Sequence, residues 1–296
     1  MKSGFINSSG LNIYYESEGV GEPLIVLHGG PGIPHGYLQD VWSLSKYFHL
    51  VFFDQRGTGR SEKTNPGEYT IETNVGDIEN LRLSLNLGPI ILFGHSWGGM
   101  LAQAYSLAYP ENVTKLVLAN TFSSVDQLNA ALAKMRASMP DAIQSTYERY
   151  EREGLYRNQE HYPIEYQKAV DAAYAPVSLT VPRPEYLEEA FGNMAYDVYR
   201  AMWGDETEFK ITGTLRGFNF LPRLHEIRVP TLVIVGAQDM TSIEMAEATA
   251  KEIPYSRLVV FERSRHYPFI EEKERFHALV RDFLQEPYNR NLRKVI

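Results

Sequence analysis

Residues 89–109 hold the feature that most limits what this chain can fold into. The unbroken apolar run Pro89-Ile90-Ile91-Leu92-Phe93 leads into Gly94-His95-Ser96-Trp97-Gly98-Gly99, and Met100 to Tyr109 follow with helical character until Pro110. A short, wholly apolar run reads as a strand buried on both faces, the situation inside a parallel sheet. A strand entering and a helix leaving a G-x-S-x-G turn make a nucleophile elbow, which forces its serine into a strained backbone conformation. Such a turn requires neighbours without side chains. Gly94 and Gly98 meet that requirement, and Gly99 lets the helix pack closely. Ser96 is therefore the expected nucleophile.

The flanking sequence supports an α/β architecture. Leu11–Tyr15, Leu24–Leu27, Leu50–Phe53 and Lys115–Ala119 read as strands. Asn74–Leu87 has helical spacing at Val75, Ile78, Leu81 and Leu85. This alternation predicts a mostly parallel sheet with helices on both faces. The pattern changes near residue 122. Residues 123–216 are rich in charged and aromatic side chains and nearly free of β-type runs. Helices are expected at Asp126–Ser138 and Asp141–Arg152, with Pro176, Pro182 and Pro184 breaking the segment. Strand character returns at Thr231–Gly236 and Leu258–Phe261, and Lys273–Leu284 reads as a last helix. The expected division is a core of residues 1–122 and 217–296 with an inserted helical cap, 123–216. Such an insertion would lie over the carboxyl ends of the strands, where open α/β sheets bind ligands.

Composition removes several function classes. The chain has 296 residues and no cysteine, which excludes disulfide scaffolds, thiolate metal sites and a cysteine nucleophile. Its net charge is −8 without a basic block, against nucleic acid as a partner. The first residues, MKSGFINSSG, contain no apolar signal-like region, and no apolar run approaches the ~20 residues of a membrane span. The expectation is a cytoplasmic protein with no membrane partner. The tail from Glu286, with Arg290, Arg293 and Lys294, is expected to be a solvated end.

A serine nucleophile needs a base, and the base an orienting acid, in the chain order Ser, acid, His on this type of sheet. His266 follows the strand Leu258–Phe261 in Ser264-Arg265-His266-Tyr267-Pro268 and is the expected base. His277 falls in a helical pattern, and His161 and His225 belong to the insertion and its exit. Asp239, in Gly236-Ala237-Gln238-Asp239 after the strand Thr231–Val235, is the expected acid, whereas Asp197 and Asp205 lie in the helical block. The oxyanion needs two N–H donors. One is expected from Trp97, which follows the nucleophile, and the other from Gly30 in His28-Gly29-Gly30-Pro31-Gly32. No metal or cofactor enters this scheme.

Taken in order, His28-Gly29-Gly30-Pro31-Gly32, Asp54-Gln55-Arg56-Gly57-Thr58-Gly59-Arg60-Ser61 and Gly94-His95-Ser96-Trp97-Gly98-Gly99 resemble the motifs of the prolyl iminopeptidase (proline aminopeptidase) family of the α/β-hydrolase superfamily. The resemblance covers most of the chain and is weakest over residues 123–200. It implies release of an N-terminal residue, often proline, from small peptides, with the substrate ammonium held by acids of the cap. Glu208 resembles one such acid. The residue after Asp239, where some relatives carry a second, is Met240. The alternatives are an amino-acid amidase or a small-acyl carboxylesterase, acting on aminoacyl amides or esters.

Overall fold

The structure, a computed structural model, describes residues 1–154 and 162–287. The tail residues Arg290, Arg293 and Lys294, and His161, lie outside them.

Eight strands form one sheet in the order β1-β2-β4-β3-β5-β6-β7-β8. They are β1 (Lys2–Ser8), β2 (Leu11–Glu18), β3 (Pro23–Leu27), β4 (His49–Phe53), β5 (Ile90–His95), β6 (Val113–Ala119), β7 (Thr231–Gly236) and β8 (Ser256–Phe261). From β4 to β8 every pairing is parallel, and β1 and β2 add an antiparallel edge. Side-chain alternation along the central strands explains why their sequences are apolar throughout. Ile90 and Leu92 of β5 enter the core on one face, and Ile91 and Phe93 enter the core on the other. The apolar runs are thus two interleaved half-faces, as parallel burial demands.

The ten α-helices among the described residues are α1 (Ile71–Ser84), α2 (Trp97–Ala108), α3 (Val125–Ala137), α4 (Asp141–Glu153), α5 (Ile164–Ser178), α6 (Glu185–Gly192), α7 (Tyr196–Met202), α8 (Ile243–Glu252), α9 (Pro268–Glu271) and α10 (Lys273–Gln285). Local signals start several of them. Thr70 and Thr73 form a reciprocal cap on α1, and Ser124 and Ser242 cap α3 and α8. The start of α1 therefore falls three residues before the Asn74 expected from apolar spacing. Helices α3 to α7 all fall between β6 and β7.

One expectation needs correction, and one strand carries no expectation above. Pro176 does not break its helix: it sits in the last turn of α5, which ends two residues later. Pro184 instead precedes α6. The N-terminal decapeptide, read above only for its lack of a signal-like region, supplies strand β1. Its Ser9-Gly10 turn has positive φ at both residues (51° and 92°), the geometry that closes a two-residue hairpin.

Candidate active site

The elbow is built by backbone contact. Ser96 connects β5 to α2 with φ 55° and ψ −125°, a region a residue with a side chain occupies only when its surroundings enforce it. A Cβ on Gly94 would stand 2.3 Å from the carbonyl oxygen of Gly98, and one on Gly98 would stand 2.1 Å from that of Leu27. Neither position can carry a side chain while strand and helix keep this approach. Thr121 Oγ1 donates to the Ser96 carbonyl at 2.6 Å, and the Ser96 N–H donates to Ala119 at 3.0 Å. Trp97 is the first residue of α2, so helix geometry leaves its N–H without an intrahelical acceptor.

His266 and Asp239 meet at the ends of β8 and β7. His266 Nδ1 lies 2.8 Å from Asp239 Oδ1. Asp239 Oδ2 accepts from Asn120 Nδ2 at 2.7 Å and from Thr241 Oγ1 at 2.5 Å. Burial pushes the Asp239 carboxyl up, but the His266 imidazole and the hydrogen bonds from His266, Thr241 and Asn120 outweigh it and hold the pKa below the usual value. The loop carrying His266 is braced from both sides. The Glu271 carboxylate accepts the N–H groups of Arg265 and Tyr267, and the His266 N–H donates to Ser178 at the end of α5.

Gly30 lies in the loop after β3 with φ 112°, where a Cβ would meet the amide nitrogens of Gly32 and Ile33 at 2.7 and 2.8 Å. Two hydrogen-bonded chains tie this loop to the elbow. Gln55, just after β4, donates Nε2–H to the His28 carbonyl at 2.8 Å and accepts from the Trp97 indole at 2.7 Å. In the second chain the Gly29 N–H donates to the Tyr37 hydroxyl, 2.6 Å away. That hydroxyl donates to His95 Nδ1 at 2.8 Å, and His95 Nε2–H donates to the His266 carbonyl at 2.8 Å. Each donor in this chain is fixed by the one before it. Complete burial keeps His95 neutral, with a pKa lowered to about 3.

Glu208 is 6% exposed and follows α7 in an irregular segment. Its Oε1 accepts from Tyr199 at 2.6 Å and from Tyr174 at 3.2 Å, and its Oε2 accepts from Tyr162 at 2.9 Å. A carboxylate has about four acceptor positions, so three hydroxyls leave room for one more donor. The Trp203 indole bonds the Glu208 carbonyl at 3.0 Å and fixes its backbone. Burial raises the Glu208 pKa to about 7, although the three hydroxyls pull it down; the Glu151 charge adds to the rise.

Ser96, His266, Gly30, Glu208 and Met240 all line one cavity, while Asp239 and the Trp97 indole stand behind its wall. Asp171 of α5 brings a second carboxylate to the lining. The rival histidines and acids lie elsewhere. His277, on α10, bonds Ser43, His225 is exposed, Asp197 pairs with Lys63 at 3.1 Å, and Asp205 is exposed. Sequence reasoning missed Asn120, Thr241, Tyr37 and the tyrosines around Glu208. Asn120 and Gln55 had a usable signal: each is a polar residue within two positions of a buried parallel strand's end. The tyrosines had none beyond abundance.

Among the described residues no group of three His, Cys, Asp or Glu side chains could hold a metal ion, and no helix is long and apolar enough to cross a membrane.

Residues 22–273 match the family described as alpha/beta hydrolase fold. A proline iminopeptidase of Saccharolobus solfataricus is 33% identical over 99% of this chain and 96% of its own length. The crystal structure of VinJ is 30% identical with a TM-score of 0.88, covering 96% of this chain and 98% of that one. The crystal structure of a proline iminopeptidase from Mycobacterium smegmatis is 26% identical with a TM-score of 0.83, covering 96% and 97%. With an α/β-hydrolase sheet and full-length similarity to these enzymes, the chain belongs to the proline iminopeptidase family and is a proline iminopeptidase-like hydrolase.

Proposed function

We propose that the enzyme releases the N-terminal residue, often proline, of a small peptide through an acyl-enzyme on Ser96. His266 takes the Ser96 proton as the hydroxyl attacks the scissile carbonyl. Asp239 holds the imidazole with its proton on Nδ1 and stabilises the imidazolium. The N–H groups of Gly30 and Trp97 receive the charge that develops on the carbonyl oxygen. His266 then protonates the departing amine, and water, activated by the same imidazole, releases the acyl group. Protons balance over these side chains and water.

Residues 123–216 act as the cap, and Glu208 is its reading head. The observation that carries this reading is a carboxylate buried among three tyrosine hydroxyls in the cavity that Ser96 lines. A desolvated ammonium requires a partner, and aromatic faces add cation–π attraction. Asp171 lies on the same lining. A wild-type comparison of prolyl arylamide with its N-acetyl derivative tests the reading. Cleavage of the free amine with little or none of the blocked form is expected. Efficient cleavage of the blocked amide would overturn aminopeptidase action in favour of amidase or esterase chemistry.

A further inference from the structure

The cavity lining carries both signs of charge, the carboxylates of Glu208 and Asp171 and the guanidinium of Arg183. Helix α5 spans it. Tyr174 holds Glu208, and Ser178, four residues later, accepts the N–H of His266. Four residues of helix advance about 6 Å, close to the roughly 7 Å that two extended residues span. The chain beyond α5 is fastened to the loop of the base. The Thr180 N–H donates to Glu271 at 2.8 Å, and the Arg265 guanidinium bonds the carbonyls of Ala175, at 3.0 Å, and Leu179. Arg183 follows three residues after Thr180. It lines the cavity and, with its Cζ 5.2 Å from the Phe191 ring centroid, packs over another lining residue. Among the described residues that line the cavity, it is the only lysine or arginine. Burial raises the pKa of the Tyr267 hydroxyl, and the Arg183 charge acts against that rise, so the guanidinium field reaches the residue beside His266. Glu188 meets Arg183 at Nη1, 3.4 Å away, so one acid already answers part of its charge.

The leaving amine is the group His266 protonates, so the second residue of the substrate lies on this side. We infer that Arg183 recognises the free α-carboxylate of that second residue, which makes zwitterionic dipeptides the favoured substrate class. Glu208 takes the ammonium at one end, Arg183 the carboxylate at the other, and the scissile bond lies between. The inference rests on the aminopeptidase reading above.

The test compares wild type and Arg183→Gln on prolylglycine, prolylglycinamide, prolylglycylglycine and prolyl arylamide. Arg183 is exposed, so the substitution leaves the core intact. The expected result is a loss of about fivefold in kcat/KM for prolylglycine, near the upper end for an exposed ion pair, with the neutral amide and the arylamide unchanged. The tripeptide, whose carboxylate lies one residue further out, is expected to lose less than the dipeptide. Arg183→Lys keeps the charge and is expected to retain the dipeptide preference. Equal effects of Arg183→Gln on acid and amide, or a Lys variant as impaired as Gln, would overturn the inference. Wild-type action on the arylamide, which has no carboxylate, scores the aminopeptidase reading separately.

Discussion

Asp239 and Glu208 are both buried carboxylates a short way from the nucleophile, and the protein treats them in opposite ways. Asp239 has an imidazole at 2.8 Å and further donors from Asn120 and Thr241, and its pKa is held down in spite of burial. Glu208 has three hydroxyls, yet burial, with an added push from Glu151, carries it up to about 7. The difference lies in the counter-ion. On our reading Asp239 is matched by a cation that forms inside the protein during turnover, and Glu208 by the ammonium of the substrate. On the proposed function the sheet region does chemistry on any acyl group that reaches Ser96, and the helical region selects which one does.

Breaking the sheet side should be indiscriminate. Ser96→Ala is expected to lose on the order of 10⁴–10⁶ in rate on peptides, arylamides and esters alike, with an unchanged circular dichroism spectrum. Substantial turnover by that variant on any of these substrates would remove Ser96 from the role.

Breaking the cap side should be selective. Glu208→Gln is expected to lose about 30- to several-thousand-fold in kcat/KM on prolyl arylamide and little on an ester without an amine. It should also separate function from stability. A carboxyl whose pKa is raised from 4.5 to about 7 by folding costs stability as pH climbs between those values, and the cost is complete above 7. For this shift it is about 3 kcal/mol. The variant cannot ionise, so it should melt above wild type at pH 8 and level with it near pH 4.5. A variant that melts lower at pH 8 would mean the carboxylate supports the cap's structure.

Gln55→Leu cuts the tie between the His28 carbonyl and the Trp97 indole. The expected loss is about tenfold in kcat on amines and esters equally, with KM little changed, because a loosened oxyanion loop acts on the transition state. A loss confined to amine substrates would place Gln55 on the wrong side of the comparison. The smallest effect expected is from Tyr199→Phe, which removes a hydroxyl that holds the Glu208 pKa down. That pKa should rise further, so activity on prolyl arylamide at pH 7 should fall a few-fold and recover by pH 8. A loss that persists at pH 8 would point to a packing role for the hydroxyl.

The two regions also differed in how much of them the sequence disclosed. Ser96, Asp239 and His266 each lie within five residues of a strand's end. Apolar runs announce buried strands, and glycines announce a tight elbow, so these three could be read in order along the chain. The cap residues carry no such local signature. Tyr162, Tyr174 and Tyr199 converge on Glu208 from different segments, and their partnership exists only after the helices pack. Glu208 itself was legible through family resemblance and not through spacing. Strand β1 was missed because its pattern of mostly exposed residues, with Ile6 and Ser8 buried, is that of an edge strand. Pro176 lacks only its own N–H bond to the Ala172 carbonyl, so α5 runs on to Ser178, and the break in the segment falls around Pro182 and Pro184 instead.

The central claim, that an ionised Glu208 reads the substrate's amine, is tested most directly by one ratio. It is kcat/KM for prolyl arylamide divided by kcat/KM for an amine-less ester, followed from pH 5 to 9. Any group that acts on both substrates alike cancels from the ratio. The ratio should fall about tenfold per pH unit below about 7, as the Glu208 carboxyl of the free enzyme takes up its proton. It should fall again at high pH as the substrate loses its ammonium, and Glu208→Gln should abolish the acid limb. A ratio that stays flat between pH 5 and 7, or one that keeps its acid limb in Glu208→Gln, would contradict the account.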